Sequence, residues 1–339
     1  MAGIPNWTVD GSAIVRPNQQ NQAGAIDALT IEEFTGMVHT TIARKSKLDP
    51  YIKRRPVKGT NTLTSYAVGE AQLTTLTPGV APPGKPVSFS KASVTVDTVV
   101  LARNIFPMLE EFQNTFGARQ KVGLEHGKKI AKFTDQSFMI QGVKAALLTQ
   151  SVYSNVAGDK PEGFSGGSQI TLAAAADELD PAKLYKAISD LFTVMEEDKD
   201  VEPQTEDVIL ILRPKQFYVL QQAEQIVNGE YLTSDGNKLT GVPIFKAWGV
   251  PVVSSNNLPK TVITGHLLSN AGNGNAYDGD FTKVVALAIS PMALIAGETI
   301  PLQTKVFWDD LTKMWFVDSW LAYAVTPDRA EYAGVILKP

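Results

Sequence analysis

Residues 77–86 hold four prolines (Pro78, Pro82, Pro83, Pro86) and two glycines (Gly79, Gly84). Proline donates no hydrogen bond to a β-ladder, so no strand can run through this stretch. Both flanks read as strands. Residues 61–70 place Thr62, Thr64, Tyr66 and Val68 on one face, and residues 87–100 alternate through Val94, Val96 and Val100. The pattern predicts a long hairpin with a Pro/Gly tip. Two strands alone are marginally stable in water, so this hairpin must rest on something else. Tyr66, Val68, Leu73, Leu76 and Phe89 would be exposed apolar groups on a lone subunit, and such surfaces are usually covered by a partner.

A second strong signal is the proline-free stretch 117–148, where Ile130, Phe133, Ile140, Val143 and Leu147 recur at helical spacing. About 30 residues at a 1.5 Å rise make a rod of roughly 45 Å. Gly123, Gly127 and Gly142 each disfavour it by about 1 kcal/mol relative to alanine, so tertiary packing must hold this helix. Residues 149–176 form a Gly/Ser-rich connection. Asp180 and Pro181 then start a helix containing Leu184, Ile188, Leu191, Phe192 and Met195, with an acid at the N-cap and proline at the first position. An acidic run (Glu196, Glu197, Asp198, Asp200, Glu202) leads to an all-apolar strand at 208–212 and a helix at 214–227. Strands are predicted near 242–245, at 250–254 and at 284–289, and long, partly alternating ones at 299–308, 312–326 and 334–337. The fold class is α+β, with an α/β region in its middle. Before the hairpin, residues 1–25 read as a polar arm, and 27–48 as a helical pattern with Glu32 and Glu33 near its start. A basic cluster follows: Arg44, Lys45, Lys47, Lys53, Arg54, Arg55 and Lys58.

Composition narrows the function. The 339 residues carry a net charge of −4, whereas a chain that coats nucleic acid needs a basic surface for counterion release. With no cysteine, there is no disulfide framework, thiolate zinc site or thiol nucleophile. The first fifteen residues show no basic region followed by an apolar run, so no signal peptide is expected. The longest apolar stretch, 284–297, contains Pro291 and is too short for a bilayer, so no membrane association is expected.

Motifs that could carry chemistry fail on context. Gly163, Ser165 and Gly167 match the hydrolase nucleophile elbow, but that elbow needs a strand before the serine and a helix after it, and neither flank fits. His39, His126 and His266 stand far apart in no ligand spacing. Residues 117–129 contain glycines and lysines without the phosphate-loop spacing. The stretch 272–280 lacks the spaced acids of a calcium loop and reads as a turn. Asp309 and Asp310 between two strands are ordinary hairpin-turn residues. No catalytic residue, metal ligand or cofactor is expected. The basic cluster could touch nucleic acid phosphates, pair with acids such as Glu196–Glu202 on a neighbouring subunit, or simply be solvated; the acidic balance favours subunit pairing.

The order of parts (arm, long hairpin with Pro/Gly tip, long helix, compact α/β region, terminal long strands) resembles the major capsid proteins of tailed phages with the Hong Kong 97-type fold, in particular those of short-tailed podophages. Segments that carry the likeness are Phe34 to His39 running into the basic stretch, Leu63 to Ala71, Gly241 to Phe245 with Gly249 to Val253, and Arg329 to Ile336. It covers the chain from about residue 27 onward and rests on the order of segments.

In that family's terms, 1–57 is the N-terminal arm and 58–96 the extended loop. The peripheral domain is 97–176 with 300–339, including the spine helix about 117–148, and the axial domain is 177–299. The resemblance implies an icosahedral phage head in the virion, built in the bacterial cytoplasm from hexamers and pentamers around double-stranded DNA. A portal and a separate scaffolding protein are implied as partners, with a decoration protein as a further one. The extended-loop residues Tyr66, Val68, Leu73, Leu76 and Phe89, and the basic arm residues, become inter-subunit contacts. Some relatives crosslink a loop lysine to a peripheral asparagine. Lys85 and Lys91 lie in the loop, but no asparagine occurs from 276 to 339, so no such crosslink is expected. The competing readings are a bacterial nanocompartment (encapsulin-like) shell and, from another class, a Ser165 hydrolase.

Overall fold

A computed structural model describes residues 20–21, 25–26, 37–42, 46–48, 51–68, 73, 75–76, 78–79, 81, 84, 89–107, 118–153, 164–223 and 246–339. In chain order the strands are β1 (Gln20–Asn21), β2 (Ala25–Ile26), β3 (Arg55–Pro56), β4 (Thr62–Val68), β5 (Phe89–Thr95), β6 (Val100–Pro107), β7 (Ser168–Thr171), β8 (Ile209–Leu212), β9 (Lys246–Ala247), β10 (Val250–Ser254), β11 (Val262–Ile263), β12 (Gly279–Asp280), β13 (Val284–Ile289), β14 (Leu294–Asp309), β15 (Met314–Pro327) and β16 (Ala333–Leu337). The helices are α1 (Ala118–Leu147), α2 (Pro181–Lys199) and α3 (Pro214–Leu220). Residues 37–42 are also helical and 46–48 are not, so the expected helix at 27–48 ends before residue 46; residues 27–36 and 43–45 and the strand at 242–245 lie outside the described residues. Among the described residues, no helix is long and apolar enough to cross a membrane.

The chain forms two compact units. One contains 99–134, 300–322 and the described residues up to 48. In it β15 pairs antiparallel with β6, from Met314↔Pro107 to Leu321↔Val100. The first half of α1 meets the helical residues 37–42 at Gly127, where a β-carbon would lie 2.7 Å from Thr41 Cβ and 3.0 Å from the Val38 carbonyl oxygen. His126 is buried there, its ring nitrogens within 3.0 Å of Ser319 Oγ and 2.7 Å of Asn104 Oδ1.

The other unit (51–98, 135–299 and 323–339) is built on a six-stranded mixed sheet in the order β7-β16-β13-β8-β10-β9. β8 and β10 run parallel, and β13 is antiparallel to both β8 and β16. All six residues of β13 are buried, as a strand covered on both faces requires. The apolar run 284–297 is therefore two elements: Ser290 and Pro291 turn the chain, and β14 starts at Leu294. α2 lays Leu184, Ile188, Leu191 and Met195 on this sheet, each fully buried and contributing about 1.5–3 kcal/mol by area. Its start is held as expected, the Asp180 carboxylate accepting from the Ala182 and Lys183 amides at 3.0 and 3.3 Å. In the second half of α1, Phe138, Met139, Ile140, Val143, Ala145 and Ala146 are all inaccessible, the mark of a core helix rather than an amphipathic one.

One boundary differs from expectation. β7 and β16, placed by sequence with the peripheral segments 97–176 and 300–339, hydrogen-bond into the same sheet as β8, β10 and β13. β16 is apolar and mostly buried, whereas β7 leaves Gln169 and Thr171 exposed and lies in the stretch expected to be a connection; neither carries a cue to which ladder it completes. β6 was not singled out by sequence, and α3 ends at Leu220, short of the expected 227.

Candidate assembly surfaces

Pairing of β4 with β5 runs from Thr62↔Thr95 to Val68↔Phe89. Alternation divides the hairpin into two faces. The inner face is buried: Ala67, Ala92 and Val94 are at most 4% exposed. The outer face is open, with Tyr66 74%, Val68 53% and Phe89 75% exposed. Val68 and Phe89 are direct cross-strand partners and Tyr66 is two residues along the same face, so these three residues form one apolar patch. Lys91 stands opposite Tyr66 and carries the only charge on that face among the described residues. Leu73 (99% exposed) and Leu76 lie beyond the paired strands.

The basic residues do not act as one group. Lys47, Lys53, Arg55 and Lys58 are exposed. Arg54 corrects the sequence reading, because it is engaged inside its own subunit. Its Nη1 lies 2.9 Å from Glu298 Oε1, its guanidinium sits 4.8 Å over the Tyr323 ring, and its side chain is only 12% exposed. Arg44 and Lys45 lie outside the described residues.

Sequence reasoning missed a second apolar surface, on the β6–β15 sheet. Leu101 and Ile105 are each 49% exposed, and their cross-strand partners are Trp320 and Phe316. Between them Arg103 grips Asp318 with two bonds, Nε to Oδ1 at 2.8 Å and Nη2 to Oδ2 at 2.6 Å, and covers the Phe316 ring at 5.3 Å. The alternation of Leu101, Arg103 and Ile105 was the available signal.

Most of the chemistry-bearing candidates are engaged in local hydrogen bonds or packing. Ser165 lies in irregular chain followed by strand β7, not by a helix. Its neighbouring glycines have a packing reason: a β-carbon on Gly166 would lie 2.4 Å from the Leu148 carbonyl oxygen, and one on Gly167 2.4 Å from Ala146 Cα. The Gly167 amide caps the end of α1 by donating to Leu148 O at 2.8 Å. In the loop 264–280, Asp278 accepts from Ser269 Oγ, the Gly265 amide and the His266 amide, which together hold its carboxyl below the usual range. His266 stacks on Tyr277 with ring centroids 5.2 Å apart. Asp309 accepts from Thr312 Oγ1 and the Leu311 amide in the β14–β15 turn, and Asp310 accepts from Trp308 Nε1. His39 is exposed. Among the described residues no group of histidine and carboxylate side chains could hold a metal ion.

What remains is a subunit that exposes apolar surface on a hairpin and on a sheet. Comparison with known proteins agrees with that picture. Sequence comparison finds no match among curated proteins. Among solved structures, the chain is similar to the capsid of cyanophage P-SCSP1u (TM-score 0.71, 17% identity, 87% of this chain and 89% of that one). It is similar to the mature capsid of bacteriophage PhiM1 (TM-score 0.68, 22% identity, 86% and 87%). The virus-like particle of Pyrococcus furiosus is a more distant likeness (TM-score 0.53, 10% identity, 91% and 99%). At these identities the likeness establishes the fold, the Hong Kong 97-type capsid fold. Independently, the family described as phage capsid protein matches residues 104–337, more than half of the chain. The chain therefore belongs to the phage capsid protein family and is a major capsid protein, a structural subunit of a bacteriophage head.

Proposed function

We propose that this subunit assembles as hexamers and pentamers into the icosahedral head of a short-tailed phage, around double-stranded DNA, without chemistry of its own. The observation that carries this reading is the split hairpin: an inner face closed within the subunit and an outer face presenting Tyr66, Val68 and Phe89. At about 25 cal/mol per Å², each such side chain docked on a neighbour contributes roughly 1.5–3 kcal/mol before ordering costs. Repeated around every capsomer, that contribution decides whether shells form. Residues 1–57 act as an arm and 58–96 as the extended loop. The peripheral domain holds α1 and the long strands, and the axial domain holds the six-stranded sheet, to which β7 and β16 are added.

Lys47, Lys53, Arg55 and Lys58 meet acids of a neighbouring copy, of which exposed Glu196, Glu197, Asp198, Asp200 and Glu202 form the densest group. Leu73 and Leu76 extend the loop contact beyond the strands. A separate scaffolding protein and a portal act with the subunit in the host cytoplasm, and a decoration protein is a further candidate partner. Negative-stain microscopy of the concentrated subunit, with and without coexpressed scaffold, tests the reading. Closed shells tens of nanometres across are expected, and a monodisperse monomer under every condition would overturn it. Mass spectrometry of the particle contents separates a phage head from a nanocompartment, which would hold protein cargo.

A further inference from the structure

The inner face of the β4–β5 hairpin is lined mostly by small side chains. Along it run Leu63, Ser65 and Ala67 on β4 and Ser90, Ala92 and Val94 on β5. Its two ends are held differently. At the foot, Leu63 Cβ and Val94 Cγ1 lie 3.6 and 3.5 Å from where a β-carbon on Gly297 would stand, beside Val57 at 3.1 Å. The Val57 amide donates to Glu298 O and the Val96 amide to Asn61 O, both at 2.8 Å. That end is an apolar, backbone-tied anchor.

Further out, Ala67 and Ala92 pack with Tyr153, Val152 and Phe164. An alanine offers one methyl, so this contact buries little area and has few large side chains to interlock. Two polar links hold it instead: Ser90 Oγ donates to the Tyr153 carbonyl oxygen at 2.8 Å, and Ser65 Oγ donates to Asp328 Oδ2 at 3.4 Å. Tyr153 Oη donates to Asp328 Oδ1 and ties the two receiving residues to each other. The receiving side is fixed: the Asp328 amide donates to Ala293 O at 2.9 Å, Phe164 stands edge-on to Tyr153 at 5.3 Å, and Arg329 covers Phe164 at 4.9 Å. Burial, reinforced by the Asp328 bond, pushes the Tyr153 hydroxyl up to about 12, so it stays a donor throughout the neutral range.

We propose that Tyr153 and Asp328 form a latch that sets the angle at which the hairpin leaves the subunit, pre-orienting its outer face for a neighbouring copy. With the latch open, the hairpin pivots on the Leu63–Val94–Gly297 foot and the Tyr66–Val68–Phe89 patch loses its fixed direction. Assembly then has to order the hairpin as well as dock it, which weakens association without removing any contact. Tyr153 and Asp328 are positioning residues, and the proposal rests on the reading of the hairpin as an inter-subunit contact.

Tyr153→Phe keeps the ring and removes the hydroxyl, and Ser65→Ala removes one link from the hairpin side and leaves Tyr153 in place. On the full-length unassembled subunit, both variants are expected to melt close to the parent. Amide exchange over 62–68 and 89–95 should rise about tenfold, as for the loss of one charge-assisted hydrogen bond, with the six-stranded sheet unchanged. The concentration needed for shell formation should rise with it. Unchanged hairpin exchange in both variants overturns the latch. Faster hairpin exchange with normal assembly overturns the loop-contact reading, and the pre-orienting role with it. Faster exchange everywhere shows a general packing role and also overturns the proposal.

Discussion

Ile289 packs directly onto Gly142: a β-carbon at that point of α1 would lie 2.8 Å from Ile289 Cδ1 and 3.1 Å from Leu287 Cδ2. The glycine that weakens the helix locally is what lets α1 lie against β13. Gly142→Ala gains about 1 kcal/mol of helix propensity but overpacks a fully buried contact, which costs about 1–3 kcal/mol. The expected result is a net loss of stability. Gly167→Ala should be worse, since its β-carbon would stand 2.4 Å from Ala146 Cα and 2.5 Å from Ala146 O, which no rotamer change relieves. Melting temperatures of the unassembled variants check both, and a Gly167→Ala subunit as stable as the parent would contradict the packing described.

Replacing residues 71–86 by an Asn-Gly turn should leave a soluble subunit with near-native circular dichroism that forms no shells. The paired strands of the hairpin are not dispensable for folding in the same way, because their inner face is part of the subunit core. The described residues Leu73 and Leu76, beyond the paired strands, are exposed and take no part in that core. Leu73→Ser and Leu76→Ser, at residues 99% and 72% exposed, should change stability by no more than about 0.5 kcal/mol while lowering shell yield. Normal assembly of the shortened protein would remove the extended-loop assignment.

Burial holds the His126 imidazole below its ordinary range, with Asp318 partly opposing. The unfolded chain therefore binds the proton more readily than the folded one. This contribution to stability is complete above a pH of about 6.5 and is lost as the pH falls below it. Urea midpoints at pH 7.5 and 5.5 should differ in that direction, and His126→Gln should flatten the difference. An unchanged slope in the variant would assign the acid sensitivity to other groups.

Glu331 should show the opposite sign. It is 3% exposed, burial raises its carboxyl above the ordinary range, and its Oε2 has no hydrogen-bond partner among the described residues. Its stabilising form is the protonated one, fully present below a pH of about 4.3 and lost as the pH rises through the raised folded value. Glu331→Gln is expected to raise the melting temperature at pH 8 and to lose that advantage near pH 4. A gain that is independent of pH would point to packing instead.

Boiled particles should run on a denaturing gel as a single band near 36.7 kDa. A lysine-to-asparagine crosslink has no asparagine from 276 to 339 to use, although Lys91 stands exposed on β5. A ladder of heavier species would show that another residue serves.

Features whose cause is local were legible in the sequence. α1 (Ala118–Leu147) lies within a residue of its expected ends, α2 starts at Pro181 under its Asp180 cap, and β10 and β13 have the bounds read from their apolar runs. The outward set of the hairpin, Tyr66, Val68 and Phe89, also followed from alternation and is exposed in the fold. Each of these depends on a residue and its close neighbours, which is the range over which propensity, capping and periodicity act.

Only the tertiary structure decided what each element meets. β16 is apolar whichever sheet it completes and β7 is a mostly polar strand in a Gly/Ser-rich stretch, so their place in the sheet of β13 could not be read from their residues. Arg54 is one basic residue in a basic cluster until Glu298, 244 positions away, takes it inside the subunit. Gly163, Ser165 and Gly167 spell a hydrolase motif until Ala146 and Leu148 show that Gly166 and Gly167 make room for the end of a helix. The Tyr153–Asp328 pair joins residues 175 apart. Contacts at such separations depend on where the packed core places two distant surfaces, and no local pattern encodes that.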